Sequence, residues 1–242
     1  MYRVEQLEVL GSIMELLVFE PEGEGPFPAM VVAQHLPVAH AGLETDPFTV
    51  DVGERLAAQG YVAVIPYLFH WWPPEEEMMT KAKAWRDDWN IADLDATYQF
   101  TANQTLVDSS RIGIMGHCWG GRVAWLGACT NTHYKAAAMF YGGRIQMGLG
   151  EGAPAAIDLV GQILCPLLGI FGREDKNPSS EDVAVLDKAL EAAGVSREFH
   201  QYEGAGHGFQ DFHNPDRYRP DQAEDAWSKF FDFMARQLKQ PV

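Results

Sequence analysis

Three side chains that together make an activated thiol occur in a telling order along the 242-residue chain: Cys118 in IMGHCWGGRV, Asp175 in LLGIFGREDKNP and His207 in YEGAGHGFQD. Gly116-His117-Cys118-Trp119-Gly120 fits the G-x-S-x-G nucleophile elbow with cysteine in the serine position. A helix starting at Trp119 would aim its free N–H groups and positive dipole end at Cys118, favouring thiolate over thiol. A thiol nucleophile needs a base, and the base needs an orienting carboxylate. Asp175 lies just past an apolar run, and His207 sits between Gly206 and Gly208 after the next one. The order nucleophile, acid, histidine is that of the elbow hydrolases. Glu174 and Asp182 compete with Asp175, but Glu174 should point away in the same turn and Asp182 belongs to a helix start. The alternatives at this stage are a structural cysteine packed in a glycine-rich turn and a solvated loop histidine. Cys129, in AWLGACT, and Cys165, opening a core run, read as packing residues, because free cysteine is usually buried and inert.

Such groups need elements that end at one place. RVEQLEVL and SIMELLVFE flank Gly11 as an opening hairpin, and AMVVAQ reads as a buried strand ending near Gln34. FTVDVGERLAAQG has helical spacing with Gly60 as its stop, followed by the buried strand YVAVIPYLF. Helical periodicity runs from Met78 to about Asn103 after the paired prolines of HWWPPEEE. SSRIGIMG (strand), WGGRVAWLGACT (helix), YKAAAMFYGG (strand) and CPLLGIFG (strand) continue the series. SEDVAVLDKALEAAG (helix), SREFHQYEG (strand) and DQAEDAWSKFFDFMARQLK (amphipathic helix) close it. The alternation predicts an α/β fold, a mostly parallel, doubly wound sheet with helices on both faces, as one domain over residues 1–242. The carboxyl ends of its strands form the crevice where the three residues converge.

Composition narrows the function classes. The formal charge of −16 disfavours binding to phosphate backbones or anionic lipid surfaces, so no nucleic-acid or membrane partner is expected. Glu5, Glu8 and Glu15 interrupt any amino-terminal apolar run, and no run approaches the roughly 20 apolar residues of a membrane span. A cytoplasmic enzyme, monomeric or a small homo-oligomer, is the expectation. Three separated cysteines without CxxC spacing argue against a disulfide framework or a thiolate zinc site. His35, His40, His70 and His207 lack a metal-site spacing, and no metal is expected.

GHCWGGR around Cys118, FYGG at 140–143, IFGREDKNP around Asp175 and GAGHGF around His207 resemble the dienelactone hydrolase (carboxymethylenebutenolidase-like) family of α/β hydrolases, over nearly the whole chain. The resemblance implies the α/β-hydrolase fold and hydrolysis of a small-molecule ester or lactone through a Cys118-His207-Asp175 triad, without metal or organic cofactor. It also implies an oxyanion hole built from the backbone N–H groups of Leu36 and Trp119.

Two departures stand out. Family members commonly carry a glutamate where this chain has His35, so the control of the resting thiol differs; a hydrogen bond from His35 to the sulfur is expected to favour thiolate. The arginines that hold a substrate carboxylate in dienelactone-cleaving members are missing from YLFHWWPPEEE and HGFQDFHNPD. Phe69, Trp71, Trp72 and Phe209 suggest an apolar pocket wall instead, and a neutral substrate. Arg217 and Arg219 are the reservation, should their loop fold over the crevice. A thioesterase or acyltransferase could use the same triad, and a noncatalytic ligand-binding or redox-sensing protein could keep the fold with Cys118 as a modifiable thiol.

Overall fold

The computed structural model describes residues 2–36 and 46–239. Strands β1 (Tyr2–Val9) and β2 (Ser12–Phe19) form the opening hairpin. Its two-residue loop, Leu10–Gly11, has φ of 49° and 85°, the left-handed pair that suits a tight hairpin turn. The following elements are β3 (Phe27–Ala33), α1 (Pro47–Ala58) and β4 (Val62–Pro66), then α2 (Met78–Lys83), α3 (Asp87–Ala102) and β5 (Val107–His117). After them come α4 (Trp119–Thr130), β6 (Ala137–Phe140), a 3₁₀ turn at Ala156–Gln162, β7 (Leu167–Gly172), α5 (Ser180–Ala192), β8 (Arg197–Tyr202) and α6 (Pro220–Leu238).

The strands form one eight-stranded sheet in the order β1-β2-β4-β3-β5-β6-β7-β8. Only the pairings of β2 with its two neighbours are antiparallel, so β3 to β8 all point their carboxyl ends the same way. Alternation along β5 sorts the layers. A side chain on Gly113 would strike Leu238 of α6, whereas Ile114 reaches Gly127 of α4. His117, two residue pairs on from Gly113, accordingly packs against Trp227 of α6 and Phe48 of α1, while α3 and α4 share the other face. Strands β3, β4, β6 and β7 are buried almost throughout, as is β5 from Ile112 to His117, as expected where helices cover both faces.

One expected element is divided. The periodic stretch from Met78 to Asn103 forms two helices, because Ala84–Arg86 leaves the helical path. Trp85 turns inward there, 4 % exposed, with its ring 4.9 Å from that of Trp119 and 4.5 Å from that of Phe69. Asp87 then opens α3 with its N–H donated to Leu149 O and its carboxylate given to a buried arginine of α4. Tertiary demands at 85 and 87 override helical propensity.

Candidate active site

Cys118 occupies the single residue between β5 and α4, with φ 56° and ψ −120°. A non-glycine residue there carries roughly 1–3 kcal/mol of strain, so the surroundings must fix it. The Cys118 N–H donates to Phe140 O at 2.9 Å, and its carbonyl accepts from the Gly121 N–H at 3.0 Å. A Cβ on Gly116 would lie 2.0 Å from the Gly120 carbonyl, and one on Gly120 would lie 2.1 Å from the Ala33 carbonyl. The missing side chains let the first turn of α4 press against β5 and the end of β3. Arg122 locks that turn from below: it is 1 % exposed, donates to both carboxylate oxygens of Asp87 at 2.6 and 3.0 Å, and donates to the carbonyls of Arg144 and Met147. Two-point pairing with further carbonyl partners is what a buried guanidinium requires.

His207 lies between the sulfur and a carboxylate. Its Nε2 is 3.0 Å from Cys118 Sγ and its Nδ1 is 2.8 Å from Asp175 Oδ2. The other oxygen of Asp175 accepts from the Asn177 N–H at 2.8 Å. Asp175 is nearly enclosed, its side chain 2 % exposed against 32 % for His207, so the pair leads outward from an enclosed carboxylate to an accessible imidazole. Burial opposes charge on the imidazole, but the hydrogen bonds to Asp175 and Cys118 and the charges of both outweigh it and raise His207 to about 10. Burial likewise opposes the Cys118 thiolate. The hydrogen bond and charge of His207, the Trp119 N–H facing the sulfur and the charge of His35 more than compensate, and Cys118 sits below an ordinary cysteine. The rival acids are elsewhere: Glu174 is exposed, and Asp182 accepts from Gln146 and forms the capping box of α5 with Ser179. Tyr141, φ 40°, sets its buried ring edge-on to His207 at 5.2 Å.

The expected contact between His35 and the sulfur takes another form. His35 Nε2 pairs with Asp46 Oδ2 and Nδ1 faces Leu36 O, leaving no ring hydrogen for Cys118. His35 acts on the sulfur through charge instead. Leu36, three residues past the end of β3, is half-buried, and Trp119 is 6 % exposed. The wall of four aromatics needs correction at two positions. Phe69 and Phe209 are both 0 % exposed; Phe69 packs on Trp85 and Tyr67, and Phe209 on Tyr141 and Tyr202. They are core residues supporting the crevice from behind. Trp71 and Trp72 are half-buried, in an aromatic array with Trp89 and Trp85 that continues to Trp119, and Trp71 Nε1 donates to Asp93 at 3.0 Å. His40 lies outside the described residues. His70 is held between Ser12 and Asp93.

A cavity of about 340 Å³ beside His207 and Asp175 is lined also by Glu174, Lys176, Asp216, Arg217 and Arg219, with Gly206. Arg217 thus lines a cavity on the Asp175–His207 side of the site. Arg219 spends its guanidinium on the carbonyls of Gly204, Asp216 and Tyr218. Sequence reading had not singled out Asp46, Asn177, Tyr141 or the Asp87–Arg122 pair. Arg122 inside GHCWGGR, Tyr141 inside FYGG and Asn177 inside IFGREDKNP lay within motifs that could have flagged them; Asp46 and Asp87 lay in none.

The strand order, the sharp turn at Cys118 and the carboxyl-end loops bearing Asp175 and His207 define an α/β hydrolase. The family model for the dienelactone hydrolase family matches residues 14–238. A Synechocystis protein described as "Putative carboxymethylenebutenolidase" is 30 % identical over 97 % of this chain and 94 % of its own length. A Bradyrhizobium protein described as "Probable 2-oxo-3-(5-oxofuran-2-ylidene)propanoate lactonase" is 31 % identical over 86 % of this chain and 83 % of its own. The crystal structure of a "Putative Dienelactone Hydrolase" from Klebsiella pneumoniae superposes with a TM-score of 0.86 at 27 % identity, covering 97 % of this chain and 98 % of that one. The chain belongs to the dienelactone hydrolase family, and it is a hydrolase of the ester- and lactone-cleaving type. Among the described residues no helix is long and apolar enough to cross a membrane.

Proposed function

We propose that the protein cleaves small carboxylic esters or lactones through a covalent acyl-cysteine, with Cys118 as nucleophile, His207 as proton carrier and Asp175 as its orienting anion. The observation that supports this most strongly is the unbroken line Sγ–Nε2 at 3.0 Å and Nδ1–Oδ2 at 2.8 Å on an elbow of positive φ. The thiolate attacks the substrate carbonyl carbon, and the carbonyl π pair moves onto oxygen. The N–H groups of Leu36 and Trp119 receive that charge, as donors aimed at a developing oxyanion must. As the tetrahedral species collapses, the C–O bond to the leaving group breaks and His207 gives its proton to the departing alkoxide. Water then loses a proton to His207 and attacks the thioester, returning Cys118 and the free carboxylic acid. Asp175 holds the tautomer and stabilises the imidazolium at each stage.

A neutral substrate is the second part of the proposal. The cavity beside His207 sets Lys176, Arg217 and Arg219 against Glu174, Asp175 and Asp216, with the Arg219 guanidinium held on backbone carbonyls, so its fixed charges offset one another. Asp211 faces His35 and Tyr141, and the chain as a whole carries −16. The half-buried Trp71 and Trp72 supply apolar surface near Trp119. The test is a panel of neutral esters and lactones, their carboxylate-bearing analogues and thioesters, assayed at low and high salt with the parent and Cys118→Ala. Turnover of neutral esters or lactones that vanishes in the variant is expected. A strong preference for the anionic analogue that fades with salt would overturn neutral selectivity and point to Arg217. A preference for thioesters would move the protein to the thioesterase reading.

A further inference from the structure

A second imidazole–carboxylate pair lies at the same end of the sheet. His35 follows directly on Ala33 and Gln34, whose carbonyls lie 2.1 and 2.8 Å from where a Cβ on Gly120 would be. It thus leaves β3 at the point where that strand meets the first turn after Cys118. Its Nε2 is 2.5 Å from Asp46 Oδ2 and its Nδ1 is 3.2 Å from Leu36 O. Both partners are acceptors. A neutral imidazole has one N–H, and only an imidazolium satisfies a carboxylate oxygen and a carbonyl oxygen together.

Asp46 is equipped for this task. It occupies the N-cap position of α1, where aspartate usually accepts from the free N–H groups of the first turn. Here its carboxylate faces the Phe48 N–H, and the oxygen that meets His35 also accepts from Thr49 Oγ1 at 2.5 Å. Phe48, 3 % exposed, sets its ring 4.8 Å from His35 and 5.1 Å from His117, fixing the imidazole from a second direction. The side chains of His35 and Asp46 are 12 % and 11 % exposed, so the pair is shielded from solvent.

We propose that Asp46 is a positioning residue of the hydrolase site: clamped by Thr49, it holds His35 as a fixed cation beside the nucleophile, so that Cys118 is served by two imidazole–carboxylate pairs. This rests on Cys118 being the nucleophile. The charges then alternate along Asp46, His35, Cys118, His207 and Asp175, and the thiolate is the resting state without any rearrangement on substrate binding. Among the described residues the titratable groups facing His35 are Asp46, Cys118, Asp211 and His117. Its own burial works against its charge, and the hydrogen bond and charge of Asp46, with Cys118 and Asp211, reverse that and raise it. His117, fully enclosed, is kept neutral by burial and by the His35 charge. His207 and His35 are the cations facing Cys118, and Tyr141 beside it stays protonated, chiefly through burial. The clamp also holds the Leu36 carbonyl, steadying the residue whose N–H is the proposed oxyanion donor.

The test is the pH dependence of iodoacetamide alkylation at Cys118, followed by peptide mass in the full-length protein. The set is the parent, Asp46→Asn, His35→Gln, the double variant, Thr49→Val, Thr49→Ser and His207→Gln. Asp46→Asn and His35→Gln should each slow alkylation at pH 6 at least about threefold and move the profile to higher pH, as removal of a nearby cation does. The double variant should match His35→Gln alone, because the two act as one unit. Thr49→Ser should keep the parent profile and Thr49→Val should shift it part of the way, a readout that stands even if Asp46→Asn fails to fold. Parent-like profiles in Asp46→Asn and Thr49→Val would overturn the inference, as would additive effects in the double variant. A parent-like profile in His207→Gln would instead overturn the triad, whatever Asp46 does.

Discussion

Cys129 and Cys165 carry the same side chain as Cys118 and meet opposite surroundings. Burial dominates at the first pair and drives both upward: Cys129 is pushed to about 12, by desolvation and then by the nearby Cys165, and Cys165 to about 11. Cys118 is half-buried and pays a desolvation cost too, yet it falls below the ordinary range because His207, the Trp119 N–H and His35 face it. Cys129 has only a distant carbonyl, Ala156 O at 4.0 Å. The lowering at Cys118 is a property of the partners gathered around sulfur, and the fold gathers them at one of three thiols.

The sharpest way to break this contrast is to exchange the thiols for methyl groups. Cys118→Ala should lower kcat/KM by at least about 10⁴-fold, on the scale of lost nucleophiles in triad enzymes, while Cys129→Ala and Cys165→Ala keep it within about twofold. Steady-state assays with one neutral ester decide between them, and full activity in Cys118→Ala would end the account. Asp175→Asn should keep the geometry and reduce kcat by about 10²–10⁴-fold, since the amide holds the wrong imidazole tautomer.

A structural change tests whether the elbow must be held. Arg122→Met leaves the Asp87 carboxylate enclosed without its partner, and breaking such a pair costs about 3–5 kcal/mol. Urea unfolding should show that loss, together with faster inactivation. Stability equal to the parent would mean that Asp87 finds solvent without disturbing the turn.

The pH profile gives a smaller and more graded effect. Cys118 is lowered and His207 raised, so over the interval between them the pair is thiolate and imidazolium. Rates should fall as pH drops through the cysteine limb, below the usual cysteine value of about 8.5. They should fall again as pH rises through about 10, where the proton for the leaving alkoxide is lost. A profile with a single limb near 8.5 would show a cysteine no different from a free one.

Much of this site was legible as local pattern. The elbow, the residue just past β7 and the histidine between two glycines each announce themselves within ten residues, and their order along the chain ties them together. The hairpin and the alternation of strands and helices were legible for the same reason, since periodicity of 2 and 3.6 is local. What escaped depends on direction and on distant partners. Phe69 and Phe209 have the composition of a pocket wall, but only packing reveals that they face the core. The bend at Ala84–Arg86 follows from where Trp85 and Asp87 must go, towards Trp119 and Arg122 more than thirty residues later. Asp46 reads as an ordinary helix cap, and nothing in its neighbourhood announces that it serves His35 eleven residues earlier.

The central claim, that one thiol of three becomes covalently acylated during turnover, is tested most directly by rapid quenching during hydrolysis of a neutral ester and mass analysis of the three cysteine peptides. The account predicts an acyl mass on the peptide containing Cys118 alone, formed and lost at rates that accommodate kcat and absent from Cys118→Ala. An acyl group on Cys129 or Cys165, or turnover with every cysteine peptide unmodified throughout the time course and product formed at an undiminished rate in Cys118→Ala, would contradict it.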